Sequence, residues 1–403
     1  MKLEEIKKLD EKYYMNTFGA RTNVAFEYGE GVFLFDLCGK RYMDLLGGIA
    51  VNVLGHGHPS LTAAICSQAK KVIHTSSLYY IEPQARLAQL LCDLSCADRV
   101  FFANSGAEAN EGAIKLARAY WKKKGIPEKY EIITLKDSFH GRTMATLSAT
   151  GQEKYQKKFH PINKGFKYAQ RGDIDSLKDM ISEQTCAVML ELIQGESGVY
   201  PLERSYLSKV KELCEENKLL LIFDEIQTGI GRTGTMFGYE QYGIEPDIFT
   251  LAKALGGGIP IGALLAKGDA AEAFEPGDHG STFGGNHLAT AAALCVLDTI
   301  ITGDLLKNCR LTGAFALTEL ASIQKGIKEV RGMGLMIGIE FMDDIAVSVR
   351  NKLFEEGFIV GSVGTRIIRI LPPLIITREQ ISGFIASLKK ILGDVYGKSS
   401  TGS

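Results

Sequence analysis

Apolar runs too continuous to lie half in water recur along this chain, with helix-length amphipathic stretches between them. Val100–Ala103, Glu131–Leu135, Cys186–Glu191, Leu219–Asp224 and Ile248–Leu251 each read as a strand buried on both faces. The spacing predicts helices over Leu61–Ile73, from Ser105 to about Lys124, and over Arg204–Asn217. Ser105-Gly106-Ala107-Glu108 has capping-box spacing at the start of the second. Such strands are buried only when helices cover both faces of their sheet. The expected class is therefore α/β, with a mostly parallel central sheet.

An Ala-rich helix over Asn286–Ile301 closes this region, and the pattern then changes. Val330–Gly332, Met336–Glu340, Phe358–Val360 and Ile367–Leu371 predict short strands of a smaller α+β domain. Before the large region come a helix over Lys2–Tyr14, a hairpin about Cys38-Gly39-Lys40 and a Gly-rich loop over Gly47–Gly57. The division expected is an N-terminal segment, 1–54, packing with the small domain; a large domain, 55–305; a C-terminal small domain, 306–395; and a disordered tail, 396–403.

A formal net charge of −1 gives no basic field for nucleic acid or a membrane surface, and no apolar run is long enough to span a bilayer. The charged start, Met1-Lys2-Leu3-Glu4-Glu5, lacks a signal peptide's apolar stretch, so a cytoplasmic location is expected. Eight scattered cysteines without a Cys-x-x-Cys predict reduced thiols, mostly packed in apolar segments. Cys92 and Cys96, without His neighbours, are weak as a metal site, and no metal is expected.

The chemistry gathers at strand ends, where open α/β sheets bind ligands. Lys253 follows Ile248–Leu251 and precedes Gly256-Gly257-Gly258. In a dry, crowded place its amine has a depressed pKa and attacks aldehydes. Asp224 ends an apolar strand and needs a cationic partner or donors, which a pyridinium nitrogen would satisfy. Ser105, Gly106 and Ala107 open a helix whose N–H groups can cradle an anion. Phe139 can stack on a planar ring, and Arg142 can grip a carboxylate as a bidentate fork. Ser281 and Thr282 offer hydroxyls to a phosphate. Each cluster alone also reads blandly, as a capped helix, a core aromatic, a surface ion pair or a flexible loop. Together they supply what pyridoxal 5'-phosphate requires.

The chain also resembles the class III (subgroup II) pyridoxal-phosphate aminotransferases, and within them the acetylornithine branch, from about Thr22 to Leu392. The stretches that carry the likeness include Ala103–Glu111, Ser138–Thr143, Gln194–Gly198, Asp224–Gly234, Ala252–Gly258, Ser281–Asn286 and Arg369–Pro373. The resemblance implies a fold-type I transferase, and a homodimer with shared active sites. Lys253 would hold the cofactor covalently and then shuttle a proton. Asp224 would hold the ring nitrogen, Gln227 would contact the ring oxygen, and Thr282 would reach the phosphate held by the other subunit. Ser281 would lie near the acyl-amino substrate.

The implied reaction moves the δ-amino group of N2-acetylornithine to 2-oxoglutarate, giving N-acetylglutamate 5-semialdehyde and glutamate, in arginine biosynthesis. Arg142 would take the distal carboxylate in both halves, and Arg369 the near carboxylate of the keto acid. Glu196 would neutralise Arg369 when no near carboxylate is present. Succinylornithine, ornithine and 4-aminobutyrate aminotransferases share this chemistry, and a glutamate-1-semialdehyde-type aminomutase shares the fold. Leu192 stands where relatives commonly have Pro, and Ala107 where many have Thr. Neither removes a group the mechanism needs.

Overall fold

In the computed structural model, which describes residues 1–397, the apolar runs form one seven-stranded sheet. Its order is Arg99–Ala103, Gly262–Ala266, Ile248–Leu251, Leu220–Asp224, Thr185–Glu191, Glu131–Leu135, Phe166–Ala169. Gly262–Ala266 runs antiparallel to both neighbours, and every other pairing is parallel. The reversal has a local cause. A parallel return needs a crossover of about a dozen residues or more, usually a helix. Residues 252–261 hold only the short 3-10 turn Lys253–Gly256, so the chain comes back antiparallel beside the strand it has just left.

Helix Gly106–Lys123 covers one face of the sheet, burying Ala109, Ala113, Ile114, Ala117 and Trp121. The Trp121 indole donates to the carbonyl of Cys186 at 3.0 Å, which pins the helix to a central strand. The expected capping box is half formed. Ser105 Oγ accepts from the Glu108 N–H at 3.2 Å, but the Glu108 carboxylate turns to the N–H of Asn104 at 2.6 Å. On the other face, helix His287–Thr302 packs against Pro59–Lys71 and Glu82–Leu94. The last of these is not predicted by its spacing. Pro83 stands in its first turn, where the missing N–H costs no helical hydrogen bond.

The small domain is an antiparallel sheet of Ile327–Met333, Met336–Phe341, Ile367–Ile370 and Gly361–Val363. Helices Leu305–Ala321 and Ala346–Glu355 pack against it, and Arg378–Gly397 packs against both of those helices. The N-terminal strands Phe26–Glu30, Phe33–Asp36 and Arg41–Asp44 form a meander whose last strand pairs in parallel with Phe358–Ile359. Residues 396 and 397, expected in a disordered tail, end the final helix; the rest of that tail lies outside the described residues. In the Gly47–Gly57 stretch, Gly48, Ile49 and Ala50 all take left-handed φ, between 63° and 67°. Cys186, Cys214 and Cys309 are buried, whereas Cys38 and Cys66 are exposed. Among the described residues no single helix is long and apolar enough to cross a membrane.

Candidate active site

Three strand ends and the start of helix Gly106–Lys123 surround a cavity of about 440 Å³. Ser105, Gly106, Ala107, Phe139, Arg142, Glu196, Asp224, Gln227 and Lys253 all line it. The parallel register places Asp224 beside Thr250 on one side and Glu191 on the other, so a hydroxyl and two carboxyl groups share one row.

Asp224 is buried and fully engaged. One carboxylate oxygen accepts from Asn110 Nδ2 at 2.8 Å and lies 2.7 Å from His140 Nδ1. The other accepts from the N–H of Ile226 at 3.1 Å. A carboxylate only accepts, so His140 carries its proton on Nδ1. Asn110 is itself held: it donates to the His140 carbonyl at 2.8 Å and accepts from Thr250 Oγ1 at 2.7 Å. Sequence reasoning assigned no role to Asn110. Its signal was a polar residue on the apolar face of a helix, three and four residues before Ala113 and Ile114.

Glu191 was likewise unassigned. Its carboxylate accepts from the N–H of Phe139 at 2.9 Å and of Gly195 at 3.4 Å, so it fastens the ring-facing loop to the turn that bears Glu196. Burial pushes its pKa up to about 7, with His140 pulling the other way and Asp224 adding to the rise.

Lys253 has φ of 42°, a left-handed conformation that costs a non-glycine residue about 1–2 kcal/mol. Strain of this kind persists where the surroundings fix it, and it clusters at functional sites. Among the described residues its ammonium makes no hydrogen bond or ion pair. Burial holds its pKa below the usual lysine range; Glu196 opposes that shift and Arg369 adds to it. The amine is therefore biased toward its neutral, nucleophilic form.

At the helix start, Gly106 and Ala107 are in the first turn, where no intrahelical carbonyl can accept from their N–H groups. A Cβ on Gly106 would meet Ile226 Cδ1 at 2.7 Å, so glycine keeps this corner open.

Arg369 stands behind Glu196 rather than on the cavity wall. It donates to a Glu196 carboxylate oxygen at 2.7 Å and to the Gly195 carbonyl at 2.9 Å. Gln227 Nε2 donates to that same Glu196 oxygen at 3.2 Å, while Gln227 Oε1 is buried with no donor. Burial works against ionising Glu196. Arg369 outweighs it, with help from Lys253 and Gln227, and holds the carboxyl below its usual range.

Arg142 is exposed and has no carboxylate partner among the described residues; its guanidinium lies 4.1 Å from the centroid of Tyr155 and 5.6 Å from that of Phe139. Ser281 and Thr282 lie outside the cavity. Ser281 Oγ accepts from Asn104 Nδ2 at 3.1 Å and from the Gly284 N–H at 3.0 Å, and Thr282 is exposed.

An unengaged amine, a locked acid and an anion cradle around one cavity define an enzyme of amine–carbonyl exchange. The family model for aminotransferase class-III matches residues 14–392, and the chain belongs to that family. It is 48% identical to the acetylornithine aminotransferase of Caldanaerobacter subterraneus subsp. tengcongensis, over 96% of this chain and 98% of the relative. It is 50% identical to that of Gloeobacter violaceus, over 94% and 96%. Among solved structures, it is similar to an acetylornithine aminotransferase from Elizabethkingia anophelis at a TM-score of 0.87 and 33% identity, covering 98% of this chain and 100% of the other. An ornithine aminotransferase from Toxoplasma gondii superposes at 0.94 with 31% identity, over 99% and 96%.

Proposed function

We propose that this aminotransferase is pyridoxal-phosphate-dependent and moves the δ-amino group of N2-acetylornithine to 2-oxoglutarate, in the cytoplasm and in the service of arginine synthesis. Relatives at 45–50% identity that carry the acetylornithine aminotransferase name support the substrate. The observation that carries the two-substrate reading is the Arg369–Glu196 pair at 2.7 Å beside Lys253, with Arg142 unpaired on the wall of the same cavity.

The residues fit the cofactor. Gly106 and Ala107 offer two N–H groups to a phosphate, and the unpartnered Gln227 Oε1 is an acceptor awaiting a donor such as a ring hydroxyl. Bound pyridoxal phosphate supplies an aldehyde for the amino group and an electron-withdrawing ring. Asp224, fixed by three donors, would keep the ring nitrogen protonated, and Phe139 would stack on the ring. Lys253 would hold the cofactor through its amine and, once released, would serve as base and acid at the substrate's reacting carbon.

Arg142 binds the distal carboxylate of both substrates. Arg369 binds the near carboxylate of 2-oxoglutarate once Glu196 swings aside; with acetylornithine, Glu196 stays and leaves no bare cation. Thr282 and its neighbour Phe283 are exposed, which is in keeping with a homodimer in which Thr282 completes the other subunit's phosphate site.

A single-turnover titration tests this reading. The cofactor-loaded enzyme is mixed in turn with N2-acetylornithine, N2-succinylornithine, ornithine and 4-aminobutyrate, and loss of its visible absorbance is followed. Fastest bleaching by acetylornithine, reversed by 2-oxoglutarate, is expected. Bleaching by another amine alone moves the enzyme to that substrate, and the absence of a visible band refutes the role of Lys253.

A further inference from the structure

Arg142 has no carboxylate partner among the described residues, yet its surroundings are ordered. Tyr155 stands behind it, half-buried and outside the cavity wall, with the guanidinium 4.1 Å from its ring centroid. Phe139 meets the same Tyr155 ring edge-on, with centroids 5.9 Å apart and planes at 78°. Both sides of this stack are fastened to backbone. Gln152 donates to the carbonyl of Ser138 at 2.9 Å, and Gln156 to that of Thr150 at 2.7 Å, which holds the short helix Glu153–Gln156 against the loop bearing Phe139. On the Arg142 side, the Glu111 carboxylate accepts from Thr143 Oγ1 at 2.5 Å and from the Ala145 N–H at 3.0 Å.

We infer that Tyr155 is a positioning and specificity-determining residue, whose ring holds the Arg142 guanidinium by its face and leaves its N–H edge free for a carboxylate. An arginine so held loses less freedom on binding than one waving in solvent, and aromatic faces attract guanidinium. This rests on the reading of Arg142 as the distal-carboxylate group. Because that carboxylate is present in both half-reactions, Tyr155 acts on both alike, unlike the Glu196–Arg369 pair, which serves one.

The test compares wild type, Tyr155→Leu, Tyr155→Phe, Arg142→Ala and the Arg142→Ala/Tyr155→Leu double variant. Single-turnover titrations with N2-acetylornithine, 2-oxoglutarate and the carboxylate-free n-butylamine separate half-saturation from limiting rate. Tyr155→Leu is expected to raise half-saturation roughly three- to thirtyfold for both acids. Its limiting rates should stay within about twofold and its n-butylamine titration should not move. Tyr155→Phe keeps the ring and should behave as wild type. In the Arg142→Ala background, Tyr155→Leu should add nothing.

The inference is overturned by unchanged half-saturation in Tyr155→Leu, by a shift in one half-reaction alone, by an equal loss for n-butylamine, or by additivity with Arg142→Ala. An Arg142→Ala enzyme that still binds both acids normally defeats the underlying carboxylate reading instead, and the inference with it. Tyr155→Met, which also lacks a ring, gives the same comparison if the leucine variant does not fold.

Discussion

Arg331 and Arg369 are register mates on either side of Gly338, and both reach from the small-domain sheet to one turn of the large domain. Arg331 donates to the carbonyls of Gly198 and Val199 at 2.9 and 3.0 Å, and Arg369 to Gly195 and Glu196. Paired residues on adjacent strands point to the same face, so one row of the sheet grips both ends of the turn. A Cβ on Gly338 would lie 2.8 Å from the Gly198 carbonyl oxygen, so glycine lets the turn settle between the two arginines. Tyr200, between Arg171 at 3.9 Å and Arg331 at 3.7 Å, fixes the far end.

Glu196→Ala leaves Arg369 a buried cation without its carboxylate. The acetylornithine half should then slow by roughly tenfold or more, while the glutamate half, which brings its own carboxylate, changes less. Rapid-mixing rates of the two halves measure this, and equal damage to both would sink the switch.

Glu196 is also the group that raises the Lys253 pKa against burial. In Glu196→Gln that support goes, and the Lys253 pKa falls further below its ordinary range. The pH midpoint for cofactor uptake by the apo-enzyme should therefore move down. A midpoint that stays put or rises argues against their coupling.

Lys253→Ala removes both covalent attachment and proton transfer. Turnover should drop by orders of magnitude, while Gly106, Ala107 and Asp224 still retain cofactor weakly. Steady-state rates and equilibrium dialysis with pyridoxal phosphate read the two effects separately; near-normal turnover would refute the role.

Asn110→Leu strips Asp224 and His140 of a buried donor. The expected loss is about 1–3 kcal/mol of stability, together with weaker cofactor binding. Denaturant unfolding at fixed protein concentration checks the first, and spectroscopic titration the second. An unchanged variant would show that Asp224 holds its place without Asn110.

Glu225 is buried beneath the site, where its carboxylate accepts from the N–H groups of Gly238 and Tyr239 and from Thr228 Oγ1. Burial pushes its pKa up to about 7 from 4.5. The folded chain thus keeps this proton to higher pH than the unfolded chain. The associated stability is fully present below pH 4.5 and falls by up to about 3 kcal/mol as pH rises through 7. Glu225→Gln cannot ionise, so the difference in unfolding free energy between pH 5 and pH 8 should shrink. A difference equal to that of wild type would place the titration elsewhere.

The parallel strands were legible because burial on both faces leaves an unbroken apolar run, as in Leu220–Asp224 and Ile248–Leu251. Gly262–Ala266 was not, because its small residues are those a glycine-rich loop also uses; only the lack of a crossover betrays it. Among the site residues, Lys253, Asp224 and the Gly106 corner follow strands in sequence and so announce their place. Asn110, Glu191 and Tyr155 act on those groups from other elements, at separations that no local pattern carries.

The reversed strand also sets a length. It lies between the strand that leads to Gly106 and the strand that leads to Lys253, pairing Ala103 with Gly262 and Leu251 with Ala263. Adjacent strands are about 4.7–4.9 Å apart, so the anion cradle and the lysine turn hang about 10 Å from each other on main-chain hydrogen bonds. Gly262 passes so close to Ser105 that a Cβ would overlap its carbonyl oxygen, which keeps that interval from widening or slipping. The backbone therefore works as a gauge: a guest held at both ends must bridge that interval less the reach of one lysine side chain.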